Sequence, residues 1–160
     1  MMNMQEAVAL REQGRPEEAR AMLAELLKQE PGNPDLWYQY AWVHDVMELE
    51  REAVPHYKRA LELGLAGEAR PGAMLGLGST LRTLGRYAEA RALFEYAIRE
   101  YPERREFETF YAMVLYNLND HAAAMHILLR QLADTSRDEG IQSYGRAIGF
   151  YADQLDRIWA

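Results

Sequence analysis

One six-residue phrase recurs along the chain and restricts its fold more than any other feature. Gly14-Arg15-Pro16-Glu17-Glu18-Ala19 is answered by Glu48-Leu49-Glu50-Arg51-Glu52-Ala53, by Gly85-Arg86-Tyr87-Ala88-Glu89-Ala90 and by Asn119-Asp120-His121-Ala122-Ala123-Ala124. The closing alanines are 34, 37 and 34 residues apart. Apolar residues spaced three and four apart flank each phrase on both sides, so each unit reads as helix, turn, helix. Such a unit cannot bury its own apolar face. It must stack on the next, which predicts an all-α solenoid.

Residue size along the units fits this reading. Two helices of one pair come close only where side chains are small, and Ala7, Ala41, Gly78 and Ala112 face the closing alanines in register. Leu10, Leu77, Leu81, Phe94, Tyr111, Leu115 and Leu128, with Trp37, Tyr40 and Tyr57, are the expected core between pairs. Gly14, Gly85 and Asn119 suit the left-handed backbone that reverses the chain after a helix. The second unit has Glu48 there.

These positions resemble the tetratricopeptide repeat family. The third unit carries Leu77-Gly78, Leu81, Gly85, Tyr87, Ala90, Phe94, Ala97 and Pro102 in the family's register, and the second carries Trp37, Ala41, Ala53, Tyr57 and Ala60. The stretch from Ala53 to Leu61, with Gly64-Leu65 and Leu75 to Thr80, is similar to a group of small bacterial members without an assigned role. The resemblance implies a right-handed tetratricopeptide solenoid filling a single domain, 1–160, with repeats at about 1–33, 34–67, 71–104 and 105–136. Gln131 and Ser136 depart from the pattern, as terminal repeats often do. Beyond them Ile141, Tyr144, Ile148, Tyr151, Leu155 and Ile158 predict an amphipathic closing helix, 138–158, with Asp138 as N-cap, docked on the fourth repeat.

The residue inventory weighs against several chemistries. With 25 acidic and 18 basic residues the formal charge is −7, which repels a phosphate backbone unless basic residues cluster. The densest charged stretch, Glu103 to Glu106, alternates in sign, so no nucleic-acid partner is expected. No apolar run approaches the roughly eighteen residues of a membrane span, and Gln5, Glu6, Arg11 and Glu12 fall where a secretory leader is apolar. A cytoplasmic bacterial protein without a membrane partner is expected. Cysteine is absent, which excludes disulfides and thiolate ligands but fixes no compartment. His121 and His126 point apart on a helix, no His-Glu-x-x-His spacing occurs, and His44 takes a packing position, so no metal is expected. Gly76-Leu77-Gly78 lacks the third glycine and preceding strand of a dinucleotide loop and reads as close helix packing. No nucleophile-elbow pattern surrounds Ser79, Ser136 or Ser143. No cofactor and no catalysis are expected.

What remains is the surface that the family lines with the first helix of each repeat. The resemblance implies that Tyr38, Trp42, Asp45, Leu75, Ser79, Arg82, Thr109, Met113, Tyr116 and Asn117 face this concave groove, with Arg146 added by the closing helix. Trp and Tyr are enriched in binding hot spots; the alternative is that some of these aromatics pack on neighbouring helices. Family members that clamp a C-terminal carboxylate use lysine and asparagine at positions held here by Tyr38, Trp42, Ser79 and Met113. The expected function is therefore an adaptor binding a peptide or helix of a protein partner through apolar anchors. The alternative is a self-associating structural protein, a homo-oligomer formed through the groove or the closing helix.

Overall fold

Capping residues set where the helices start. In the computed structural model, which describes residues 2–160, the Asn3 side chain accepts from the Glu6 N–H at 2.9 Å and opens α1, Met4–Glu12. Pro16 begins α2, Pro16–Gln29, at a position where a missing N–H costs nothing. Asn33 accepts from the Asp35 and Leu36 N–H groups ahead of α3, Pro34–Val46. Then come α4, Glu50–Glu62; α5, Ala69–Thr83; α6, Tyr87–Glu100; α7, Arg105–Asn117; and α8, His121–Thr135, capped by Asp120. Asp138 caps α9, Glu139–Ser143, as its sequence position predicts, and α10 spans Gly145–Tyr151.

The turn inside each of the four pairs is the same. The N–H groups of Arg15, Leu49, Arg86 and Asp120 each donate at 2.9 Å to the carbonyls of Leu10, His44, Leu81 and Leu115, closing a Schellman turn. This turn needs positive φ, and Gly14, Gly85 and Asn119 supply it at +76°, +75° and +63°. Glu48 adopts +59° without being glycine or asparagine.

The chain forms two compact units, one running to Ala90 and the other from Arg91 to Ala160. In the first, α1 packs on α2, α2 on α3, α3 on α4 and α4 on α5. The first helices also meet one another, α3 approaching both α1 and α5, whereas the backbones of α2 and α4 stand further apart. Helices that meet on one side and splay on the other curve this unit toward the row α1, α3, α5. Ala7, Ala19, Ala41 and Ala53 are wholly buried, where the small-residue pattern predicts close approach. Gly76 does the same between α4 and α5, since a Cβ there would lie 2.7 Å from the Tyr57 ring and hydroxyl.

In the second unit α7 packs on α8, and Phe94 of α6 is buried with its ring near Phe107 and Phe110. Ala112, Leu115 and Ala124 form the small core between α7 and α8, flanked by Tyr111, Ala123 and Ile127. The expected closing helix over 138–158 is instead two short helices that break at Tyr144 and end at Tyr151. Gly140, Gly145 and Gly149 lower helix propensity across the segment, and the Tyr144 N–H is shared by the Gly140 and Ile141 carbonyls in a tightened turn. The docking partner is as expected, α10 lying against α8. Leu128 and Leu132 nevertheless remain exposed, so Leu128 is not the core residue its spacing suggested.

Candidate partner-binding face

Tyr38, Trp42 and Asp45 follow one another at four and three residues on α3 and share one helical face. Trp42 is 40% exposed. Arg11, from α1, lies over its ring with Cζ 3.7 Å from the centroid, and Arg11 Nη1 donates to Gln39 Oε1 at 2.5 Å. Tyr38 stacks with the indole at 5.7 Å between centroids and 26° between planes. Trp42 is thus fixed between a cation and a phenol. Tyr38, expected in the groove, is only 9% exposed. The absence of a side chain at Gly72 admits its hydroxyl, which sits 2.5 Å from where a Cβ would be.

One turn further along α3 the Asp45 carboxylate turns inward. It accepts from the Tyr57 hydroxyl at 2.6 Å and from Thr80 Oγ1 at 3.0 Å, a hydroxyl that also lies 2.7 Å from the Gly76 carbonyl. One carboxylate therefore ties α3 to both α4 and α5. Burial holds the Asp45 carboxyl above its usual range, against the pull of these two hydrogen bonds. Burial, with Asp45 beside it, pushes the Tyr57 phenol far up, so it stays a donor. Asp45, Glu50, Ser79, Thr80 and Thr83 line an open depression of about 240 Å³ at this spot. Leu75, Ser79 and Arg82 are half-buried along α5, Arg82 being engaged by other groups.

The opposite side of α3 is core. His44 is buried with Nδ1 2.6 Å from the Tyr40 carbonyl, and the rings of Tyr40, His44 and His56 lie within 4.8 Å of one another. Burial and then the neighbouring His44 push His56 down to about 4. Trp37 borders this cluster half-buried, its Nε1 donating to the Pro31 carbonyl at 2.8 Å.

In the second unit Thr109, Met113 and Tyr116 share one face of α7. Met113 is exposed, and Tyr116 is 63% exposed with its ring 4.9 Å from that of His121. The Thr109 hydroxyl donates to the Arg105 carbonyl, Asn117 is half-buried and engaged, and Arg146 is exposed on α10.

Arg11 and Gln39 were missed by sequence reasoning, although a signal existed for Arg11. It stands four residues after Ala7, as Asp45 does after Ala41 and Arg82 after Gly78. Extending that register to the first repeat picks it out.

Helical hairpins stacked through their first helices define the α-solenoid repeat proteins. Within that class, a family profile described as "Tetratrico peptide repeat" matches residues 34–155 and one described as "Tetratricopeptide repeat" matches 3–43. The chain belongs to the tetratricopeptide repeat family, and its fold is an all-α tetratricopeptide solenoid. No curated protein matches it. Among solved structures it is similar to YrrB, described as a tetratricopeptide protein with an unusual peptide-binding site, at 20% identity and TM-score 0.71 over 88% of this chain and 71% of that one. It is also similar to pilF of Pseudomonas aeruginosa, at 18% identity and TM-score 0.71 over 98% and 76%. MamA from Desulfovibrio magneticus RS-1 aligns at 15% identity and TM-score 0.70 over 96% and 92%. At these identities the likeness concerns the fold alone. No helix among the described residues is long and apolar enough to cross a membrane.

Proposed function

We propose that residues 1–160 act as one adaptor domain, binding an extended segment of a protein partner on the row α1, α3, α5. The observation that carries this reading is Trp42, an indole held in place yet 40% exposed on the inward-curving side of the first unit. Ordered aromatic side chains of this kind lose little freedom on binding and dominate interface energetics. The peptide-binding site named for YrrB, a protein of the same fold, adds to the case. Met113 and Tyr116 offer similar chemistry in the second unit. Trp42→Ala should weaken binding of a selected peptide by about 2 kcal/mol or more. It should lower stability by no more than about 1–2 kcal/mol, the loss of one cation–π and one stacking contact. Trp37→Ala should do the reverse. Parallel melting and binding titrations distinguish the two, and an unchanged affinity for Trp42→Ala removes the basis of the reading.

A second reading, self-association, has its own observation. Leu128, Leu132, Tyr144, Phe150 and Leu155 are exposed in the second unit, and Ile158 is 92% exposed, side chains of the kind that an interface between copies buries. Sedimentation equilibrium tests it: a dimer dispersed by Leu128→Lys with Ile158→Lys supports this reading, and a monomer at all concentrations refutes it.

A further inference from the structure

The first unit contains a half-buried cation with no anion. Arg11 is partly withdrawn from water, and burial lowers its proton affinity. Its hydrogen-bond partner is the neutral Gln39 Oε1, and no carboxylate among the described residues forms an ion pair with it; Glu12 acts on it only through its field. Elsewhere exposed arginines find carboxylates readily, as Arg15 does with Glu18, Arg86 with Glu89 and Arg91 with Glu95. A desolvated charge without a counter-ion costs stability, and here the group is also held at two points: Cζ sits over the Trp42 ring and Nη1 is bound by Gln39. The remaining N–H groups of a guanidinium so held are preorganised to meet a carboxylate edge-on. One turn along the same face of α3 the sign of the surface reverses, with Asp45 and Glu50 lining the polar depression.

Resting on the peptide-binding reading above, we infer that the partner is an extended peptide with one acidic side chain seated on Arg11 and a neutral or basic residue beside Asp45 and Glu50. The guanidinium supplies attraction and the two carboxylates supply rejection. A run of acids is excluded by the second group even though the first welcomes one. The apolar part of the peptide covers the exposed edge of Trp42 between them. The carboxylate is assigned to a side chain of an extended segment, and peptides with free C-termini test the other source.

The test uses the full chain and libraries of N-acetylated, C-amidated heptapeptides with one position fixed at a time. The expected result is one position enriched for Asp or Glu about tenfold or more over Asn or Gln, with acidic residues depleted further along. Arg11→Met should abolish that enrichment while apolar preferences at other positions persist. Arg11→Glu should convert it into a preference for Lys or Arg. Arg11→Lys keeps the charge without the planar fork and should retain a weakened preference, which guards against loss of fold in the other variants. Apolar enrichment without any acidic preference, or an acidic preference unchanged in Arg11→Met, overturns the inference and leaves the peptide-binding reading standing. A matching library with free C-termini that binds through Arg11 when the amidated one does not assigns the site to a terminal carboxylate and overturns the side-chain claim. If no position is enriched for any residue, both readings fall.

Discussion

Glu48 stands where the other three repeats use Gly14, Gly85 or Asn119, and it takes the same left-handed backbone at φ +59°. For an L-residue with a Cβ that conformation costs on the order of 1–2 kcal/mol, partly offset by the smaller entropy Glu loses on folding. Glu48→Gly should therefore raise unfolding free energy by about 0.5–1 kcal/mol in urea titration. Asp45 gives a second residue-scale prediction. Its removal strands the Tyr57 hydroxyl, so Asp45→Ala should destabilise by about 1–3 kcal/mol. His56 gives a third. Its folded-state value, about 4, lies below the usual 6.5 of an imidazole, so the unfolded chain binds the proton more readily between those limits. The stability contributed by neutral His56 is complete above about pH 6.5 and is lost as pH falls through that window toward 4. Wild type should lose melting temperature there faster than His56→Phe, and parallel melting curves would contradict the assignment.

At the scale of elements, much was legible because small residues at helix contacts leave a periodic mark. The alternation of Ala7 with Ala19 and Ala41 with Ala53 located four buried alanines in the first unit, and the Schellman turns followed from Gly14, Gly85 and Asn119. Gly76 was read as packing, and Tyr57 is the ring it admits. Gly76→Ala gains helix propensity yet drives a methyl into that ring, so it should cost about 1–3 kcal/mol and loosen α4 from α5. The site was less legible. The family register put Tyr38 on the groove face, but whether a ring lies on a helix or slips under its neighbour depends on the space at Gly72, a contact between helices more than thirty residues apart in sequence. Register alone picks out the position of Arg11, but its seat on Trp42 and Gln39 needed the fold, which brings α1 beside α3. The apolar periodicity of the closing segment is real, but three glycines within it cap helix length where hydrophobic spacing alone suggests continuation.

For the molecule as a whole, the tetratricopeptide pattern settles the fold and leaves the choice of partner to a few side chains. Removing residues 138–160 should uncover the α8 surface that α10 occupies, lowering the melting temperature and promoting aggregation; an equally stable, monodisperse truncation would show that this packing contributes nothing. The central claim is that the row α1, α3, α5 receives the partner. Trp37, Trp42 and Trp159 give three indole N–H resonances, assignable by single Trp→Phe replacements, one on the core side of α3, one on its inner face and one near the C-terminus. Titrating the full chain with a peptide selected by display should shift the Trp42 resonance in proportion to occupancy and leave Trp37 and Trp159 in place. A saturable shift of Trp159 with Trp42 unmoved would contradict the account.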